Sequence, residues 1–216
     1  MIARHIARWP VRAIFTTLGI AMSVAVLVAT LFMEDSVDHL IDATFFQADR
    51  QDATINFVSE RSISSVADIA RLPGVLTVEP VRTLPVRLRL GAVSRRVAIE
   101  GRLQGGDLSR LIDMDGRTVR LPETGLVLAD KLARILGART GDLVEVETLD
   151  RRRRTVDVPV TAVVQGYVGM AAYMDLDAVN RLNQEGPMVS GVNVRLDPAA
   201  HAALYARIKG MPAVRA

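Results

Sequence analysis

From Ala13 to Met33 the sequence AIFTTLGIAMSVAVLVATLFM runs 21 residues without a charge. At 1.5 Å per residue a helix of that length covers about 30 Å, the hydrocarbon thickness of a bilayer. No soluble domain of this size needs such a segment, so the reading is a membrane-spanning helix. A cleaved signal peptide has an apolar region of only about 7–15 residues ending in small residues before a cleavage site, and this run fits neither condition. Arg4, Arg8 and Arg12 precede the run, and Glu34, Asp35, Asp38 and Asp42 follow it. The positive-inside rule then predicts a cytoplasmic N-terminus and an extracytoplasmic remainder.

Those arginines also explain the charge balance. The chain of 216 residues has 27 Lys+Arg, 24 Asp+Glu and a formal net charge of +3. The first twelve residues hold three arginines and no acid, which leaves 24 of each sign in the rest. With that remainder neutral overall and only 4% aromatic residues in the chain, there is neither the electrostatic footprint nor the stacking platforms of a nucleic-acid binder. Cysteine is absent, excluding disulfides, thiolate metal sites and a cysteine nucleophile. His5, His39 and His201 are too scattered to suggest a metal site.

Around the span, Ile2, Ile6 and Trp9 recur at helical spacing, predicting an interfacial helix over 1–12 that bends at Pro10. Ala21, Ala25 and Ala29 recur every four residues, a small-residue stripe suited to close helix packing. Beyond Met33 the apolar period continues through Val37, Leu40, Ile41, Thr44, Phe45 and Ala48, so one helix over 13–48 is expected to leave the membrane as an amphipathic stalk.

The outer segment reads as strand and helix in alternation. ATINFVS is a strand, Ser64 caps a helix through SVADIARL, Pro73-Gly74 ends it, and VLTVEPV is a second strand. Toward the C-terminus the order returns: Val192, Val194 and Leu196 alternate, Asp197-Pro198 opens a helix, and Val214 begins another strand. These are read as two strand–helix–strand halves of a degenerate repeat, the second of which stops two residues after Val214.

Between the halves the pattern is mostly β. Val86, Leu88 and Leu90 alternate with Arg87 and Arg89, and Gly91-Ala92 turns the chain into SRRVAIEGR as a hairpin partner. A strand at Gly125–Leu128 passes into a helix ended by Gly137, Gly141-Asp142 turns into LVEVETLD, and four arginines at 151–154 before TVDVPVTAVVQG read as a charged hairpin tip, with contact to anionic lipid head groups the less common alternative. A short strand at 171–174 and a helix opened by Asp175 complete the segment.

Motifs of chemistry are missing: no phosphate loop, no G-x-S-x-G elbow and no paired histidines. Asp113 and Asp115 beside Gly116 lack the remaining ligands of a calcium loop and read as turn formers. YVGMAAY at 167–173 reads as strand and turn packing rather than a pocket. No catalytic, cofactor-binding or metal-binding residue is assigned, and no cofactor is expected.

Several phrases together resemble FtsX-like/MacB-like permease subunits of ABC transporters. They are Thr17-Leu18-Gly19-Ile20-Ala21 in the span, Leu72-Pro73-Gly74-Val75 followed by Val78-Glu79-Pro80, and GLVLADKLARILGARTGDLVEV. The resemblance implies an α+β chain: a transmembrane helix (13–33), a stalk (34–48) and an extracytoplasmic core domain (49–216). That core would hold porter-like halves at about 49–84 and 186–216 around a β-rich insert at about 85–185. It implies a permease rather than an enzyme, with ATP hydrolysis in a separate partner subunit. The outer domain would couple that hydrolysis to handling or export of a lipoprotein, lipid or amphiphilic substrate. Further partners are a second permease half or copy, membrane lipid, and an adaptor or substrate protein, with no nucleic acid. Family members continue into three more spans, so the natural chain is expected to run past Ala216. The residues alone also allow a single-span adaptor or sensor with a ligand-binding outer domain, or a membrane-anchored enzyme.

Overall fold

A computed structural model describes residues 10–41, 48–150, 153–165, 170–200, 204, 205, 207, 214 and 215. The chain forms two compact units, Met1–Ala43 and Thr44–Ala216.

Among the described residues, the first unit holds the helix α1 (Pro10–Ile41). Pro10 suits a first helical turn, where its missing N–H would have had no partner. Within α1 the stretch Ile14–Met33 has a mean hydropathy of 2.2, is long enough to cross a bilayer and buries nothing against its own unit. Two of its hydroxyls bond within the helix: Ser23 Oγ donates to the Gly19 carbonyl at 2.9 Å and Thr30 Oγ1 to the Val26 carbonyl at 2.9 Å. In hydrocarbon such back-bonding spares the helix an unpaired donor. The interfacial helix expected at 1–12 falls, apart from residues 10–12, outside the described residues, and so does the end of the stalk at 42–47.

In the second unit the elements are β1 (Ala53–Ser62), α2 (Ser65–Ala70), β2 (Val75–Leu90), β3 (Val93–Arg102), β4 (Leu126–Ala129), α3 (Asp130–Leu136), β5 (Leu143–Thr148), β6 (Thr155–Val164), β7 (Ala172–Asp175), α4 (Leu176–Leu182), β8 (Met188–Leu196) and β9 (Val214–Arg215). VLTVEPV and the Val86–Leu90 run, read as separate strands, are one 16-residue strand, β2. Pro80 and Pro85 are both accommodated within the pairing, opposite Val192 and Ala98. Ser64 differs too: its backbone is already helical and its side chain makes no capping bond.

Two sheets share β2. Its first half, Val75 to Val81, pairs antiparallel with β8, which pairs with β1, which pairs with β9. The order β2-β8-β1-β9 is that of two interlocked strand–helix–strand units. One face of this sheet is apolar, where Ile55, Phe57, Val192, Val194 and Leu196 pack with Ile69, Leu72 and Leu204. The other face is polar, with Thr54 Oγ1 donating to Asn193 Oδ1 at 2.8 Å.

The second half of β2 enters a ring. It pairs with β3 and β5, β3 with β7, β7 with β4, β4 with β6, and β6 with β5. Six strands thus close on themselves without a free edge, which sequence alternation alone does not reveal. Inward residues Leu84, Val86, Leu88, Ile99, Leu126, Leu128, Val144 and Val146 are completely buried, and α3 and α4 add Leu132 and Val179 to the same cluster. Outside the ring Arg87 reaches Glu147 at 2.6 Å and Arg89 reaches Glu145 at 3.4 Å, the solvated face expected of those arginines. Gly137 ends α3 in the left-handed region, φ 72°, and Asp175 caps α4 by accepting from Asp177 N at 3.0 Å and Ala178 N at 3.3 Å.

Candidate functional site

Asymmetry between the two faces of the β2-β8-β1-β9 sheet positions the site. The apolar face is covered by helices, whereas the polar face is partly covered by a segment without regular structure, residues 103–125, which leaves β3 and returns to β4. Backbone bonds tie it to the chain just before β1: Arg50 N donates to the Leu108 carbonyl at 2.8 Å and Arg110 N to the Ala48 carbonyl at 2.8 Å. Glu79, on β2, accepts from Asp107 N at 2.5 Å and Leu108 N at 3.1 Å. Gly106 permits that approach, since a Cβ there would lie 2.7 Å from Glu79 Oε2.

Asp107 gathers three arginines. It accepts from Arg110 and, at 2.9 Å, from Arg50, with Arg195 at 3.8 Å. The Arg110 hydrogen bond and the neighbouring guanidinium charges hold its carboxyl below the usual aspartate range, against a partial loss of hydration. Farther along, Asp113 Oδ1 accepts from Asp115 N and Arg117 N at 3.0 and 2.8 Å, which makes it the turn former its neighbours implied.

Two adjoining clefts lie beside this segment. One, of about 220 Å³, has Thr54, Asn56 and Asn193 from the polar sheet face among its lining, with Glu100, Arg102 and Ser109. The other, of about 200 Å³, shares Arg102 and Ser109 and opens along residues 103–121. Arg102 donates to Glu100 at 2.7 Å and stacks over the Tyr173 ring, 5.0 Å from its centroid. Burial, reinforced by the Glu100 carboxylate, raises the Tyr173 phenol above its usual range. Tyr173 is thus strand packing, while Tyr167 lies outside the described residues.

Where β2 passes from sheet to ring, Arg82 is completely buried. Its Nη1 donates to Asn180 Oδ1, and its Nη2 donates to Glu185 and, at 3.3 Å, to Glu60. Glu60 belongs to β1, whereas Asn180 and Glu185 belong to α4 and the turn after it. One side chain therefore joins sheet and ring. In the sequence Arg82 falls in phase with the inward Leu84, Val86 and Leu88 and out of phase with Arg87 and Arg89, so an arginine at an inward position was the signal that could have found it.

Among the described residues no group of three His, Asp or Glu is placed to hold a metal ion. What the arrangement offers is hydrogen bonding and charge in open clefts, the means of binding.

The family model for the MacB-like periplasmic core domain matches residues 13–210. The chain belongs to that family. Among solved structures, the extracellular domain of the noncanonic ABC-type transporter YknZ from Gram-positive bacteria aligns with a TM-score of 0.50 and 16% identity, over 70% of this chain and 88% of that one. The periplasmic region of MacB from Actinobacillus actinomycetemcomitans aligns with a TM-score of 0.46 and 14% identity, over 71% and 78% of the two chains. No curated protein matches the chain in sequence. The resemblance carried by Leu72-Pro73-Gly74-Val75 and the 125–146 stretch is therefore borne out at the level of the family, and the α+β architecture at the level of the fold. An N-terminal apolar helix followed by a periplasmic-type domain makes this a membrane protein with an extracytoplasmic domain.

Proposed function

We propose that this chain is part of the permease subunit of an ABC transporter. Its outer domain couples ATP hydrolysis, carried out by a separate cytoplasmic subunit, to the handling or export of a lipoprotein, lipid or amphiphilic substrate. The observation that carries this reading is the extent of the family match, which includes both the apolar helix and the outer domain. Such a joint match suits a device that receives movement on one side of a membrane and uses it on the other.

In this reading residues 13–33 span the bilayer, with Arg4, Arg8 and Arg12 in the cytoplasm and Glu34 and Asp35 outside. Residues 34–48 are a stalk, and 49–216 the core domain, with porter-like halves at about 49–84 and 186–216 around an insert at about 85–185. The helix works as a lever because α1 runs unbroken from Pro10 to Ile41.

Leu40→Pro tests this in the full permease assembled with its ATPase subunit in proteoliposomes. A proline inside a helix costs about 3 kcal/mol and removes a backbone bond, so the lever breaks while the membrane stretch remains intact. ATP turnover is expected to persist while release of a fluorescent lipopeptide falls at least tenfold. Unchanged release with the helix broken refutes the coupling.

A further inference from the structure

The cleft of about 200 Å³ along residues 103–121 is lined by Arg102, Arg110 and Arg120, and by no acid. Two of these guanidinium groups are partly neutralised from outside the lining, Arg102 by Glu100 at 2.7 Å and Arg110 by Asp107. Arg120 is exposed and, among the described residues, has no carboxylate partner. Counting those two acids, the cleft keeps a surplus positive charge. Ser109 and Thr118 supply hydroxyl groups to the same lining.

The remaining lining is aliphatic. Leu111 and Leu121 are buried members of a separate small apolar cluster with Val127 and Val164, and Val119 packs against it. Leu103 is 39% exposed at the mouth. Cations and hydroxyls therefore share one cleft with an apolar wall. Hydrophilic anions gain nothing from that wall, and neutral hydrocarbons leave Arg120 without a charged partner. Pockets that enclose whole small molecules run to about 300–1,000 Å³, so this cleft takes one end of a longer molecule.

We propose that this cleft binds the phosphate head and adjoining chain of an anionic amphiphile, Arg102, Arg110 and Arg120 holding the phosphate while Leu103, Leu111 and Leu121 receive the alkyl chain. The assignment rests on the permease reading above and narrows its substrate to amphiphiles with an anionic head. Guanidinium groups suit a phosphate because their forked donors match its oxygens. The segment that forms the cleft is also the one bonded to Ala48 and Arg50, where the chain enters the outer unit, so an occupant would rest on residues next to the stalk.

The test is calorimetric titration of the whole chain in phosphatidylcholine nanodiscs, with empty nanodiscs as reference. No ATPase subunit is present, so a failure here leaves the coupling reading untouched. Hexyl phosphate is expected to bind saturably and at least tenfold more tightly than inorganic phosphate, while hexanol shows no saturable binding. Arg120→Glu is expected to weaken hexyl phosphate at least tenfold, since it replaces a charged donor with a repelling acid; Arg120→Lys is expected to stay within about threefold. Arg120 is exposed, so both variants are expected to keep the fold, which circular dichroism checks. Equal affinity for phosphate and hexyl phosphate, equal affinity for hexanol and hexyl phosphate, or binding that ignores Arg120→Glu each overturns the proposal.

Discussion

Replacing Arg82 with methionine keeps much of the side chain's apolar volume and removes its hydrogen bonds to Asn180, Glu185 and Glu60. Bonds to charged groups are worth about 1.5–3 kcal/mol each, so a simple sum over three gives an upper bound near 4.5–9 kcal/mol. Two of the partners recover water, because the Glu60 and Glu185 side chains are 35% and 22% exposed. Asn180 cannot: it is buried, and its Oδ1 keeps only the 3.2 Å bond from Met188 N. The net loss is therefore expected near the lower end of the cost of breaking a buried pair, about 3 kcal/mol. For a domain of this size that lowers the melting temperature by about 6–12 °C. Arg87→Met provides the comparison, since its pair with Glu147 lies on the ring exterior and is expected to cost at most about 1 kcal/mol. Urea titration of the whole chain in dodecyl maltoside, followed by circular dichroism of the strand signal, measures both. If Arg82→Met costs no more than Arg87→Met, Arg82 does not hold sheet and ring together.

Two further outcomes follow from single positions. Gly191→Ala is expected to destabilise the outer unit by about 1–3 kcal/mol, because the added Cβ would lie 2.7 Å from the Ile55 carbonyl and 3.0 Å from Asn56 Oδ1 in the middle of a strand pair; an unchanged urea midpoint contradicts that packing. Asp107 has a folded pKa below its ordinary 3.8, so its contribution to stability is present above that value and is lost as pH falls through the lowered one. Asp107→Asn should accordingly flatten the acid limb of the stability profile below about pH 4, an effect that shrinks in high salt because the group is half exposed. An identical acid limb in both proteins refutes it.

The elements whose information is local were legible in the sequence. α3 announces its end with Gly137, α4 its start with Asp175, and the β2–β3 hairpin its turn with Gly91-Ala92, because each signal lies within a few residues of the structure it specifies. The unbroken β2 was not, since a proline is a local sign of interruption and only pairing with β8 and β3 shows that Pro80 and Pro85 are tolerated. Ring closure was equally hidden: it depends on the parallel pairing of β3 with β7 and of β4 with β6, partners 73 and 34 residues apart at Ile99↔Ala172 and Leu126↔Val160. The cleft was least visible of all. Arg102, Arg110 and Arg120 are three among many arginines, and what distinguishes them is the fold of an irregular segment that carries no periodic signal.

That segment is also where the outer unit meets its own entry. Before β1 begins, Asp52 N donates to the Val194 carbonyl at 3.0 Å, and Asp52 Oδ2 accepts from Leu196 N at 2.7 Å. A displacement arriving at Ala48 therefore loads β8 through Asp52 and residues 107–110 through Arg50 before it reaches β1. From β8 it passes to β2, whose far half belongs to the closed ring. A ring without free edges and with a close-packed interior resists shear, so β2 hands that load to the stiffest part of the outer unit.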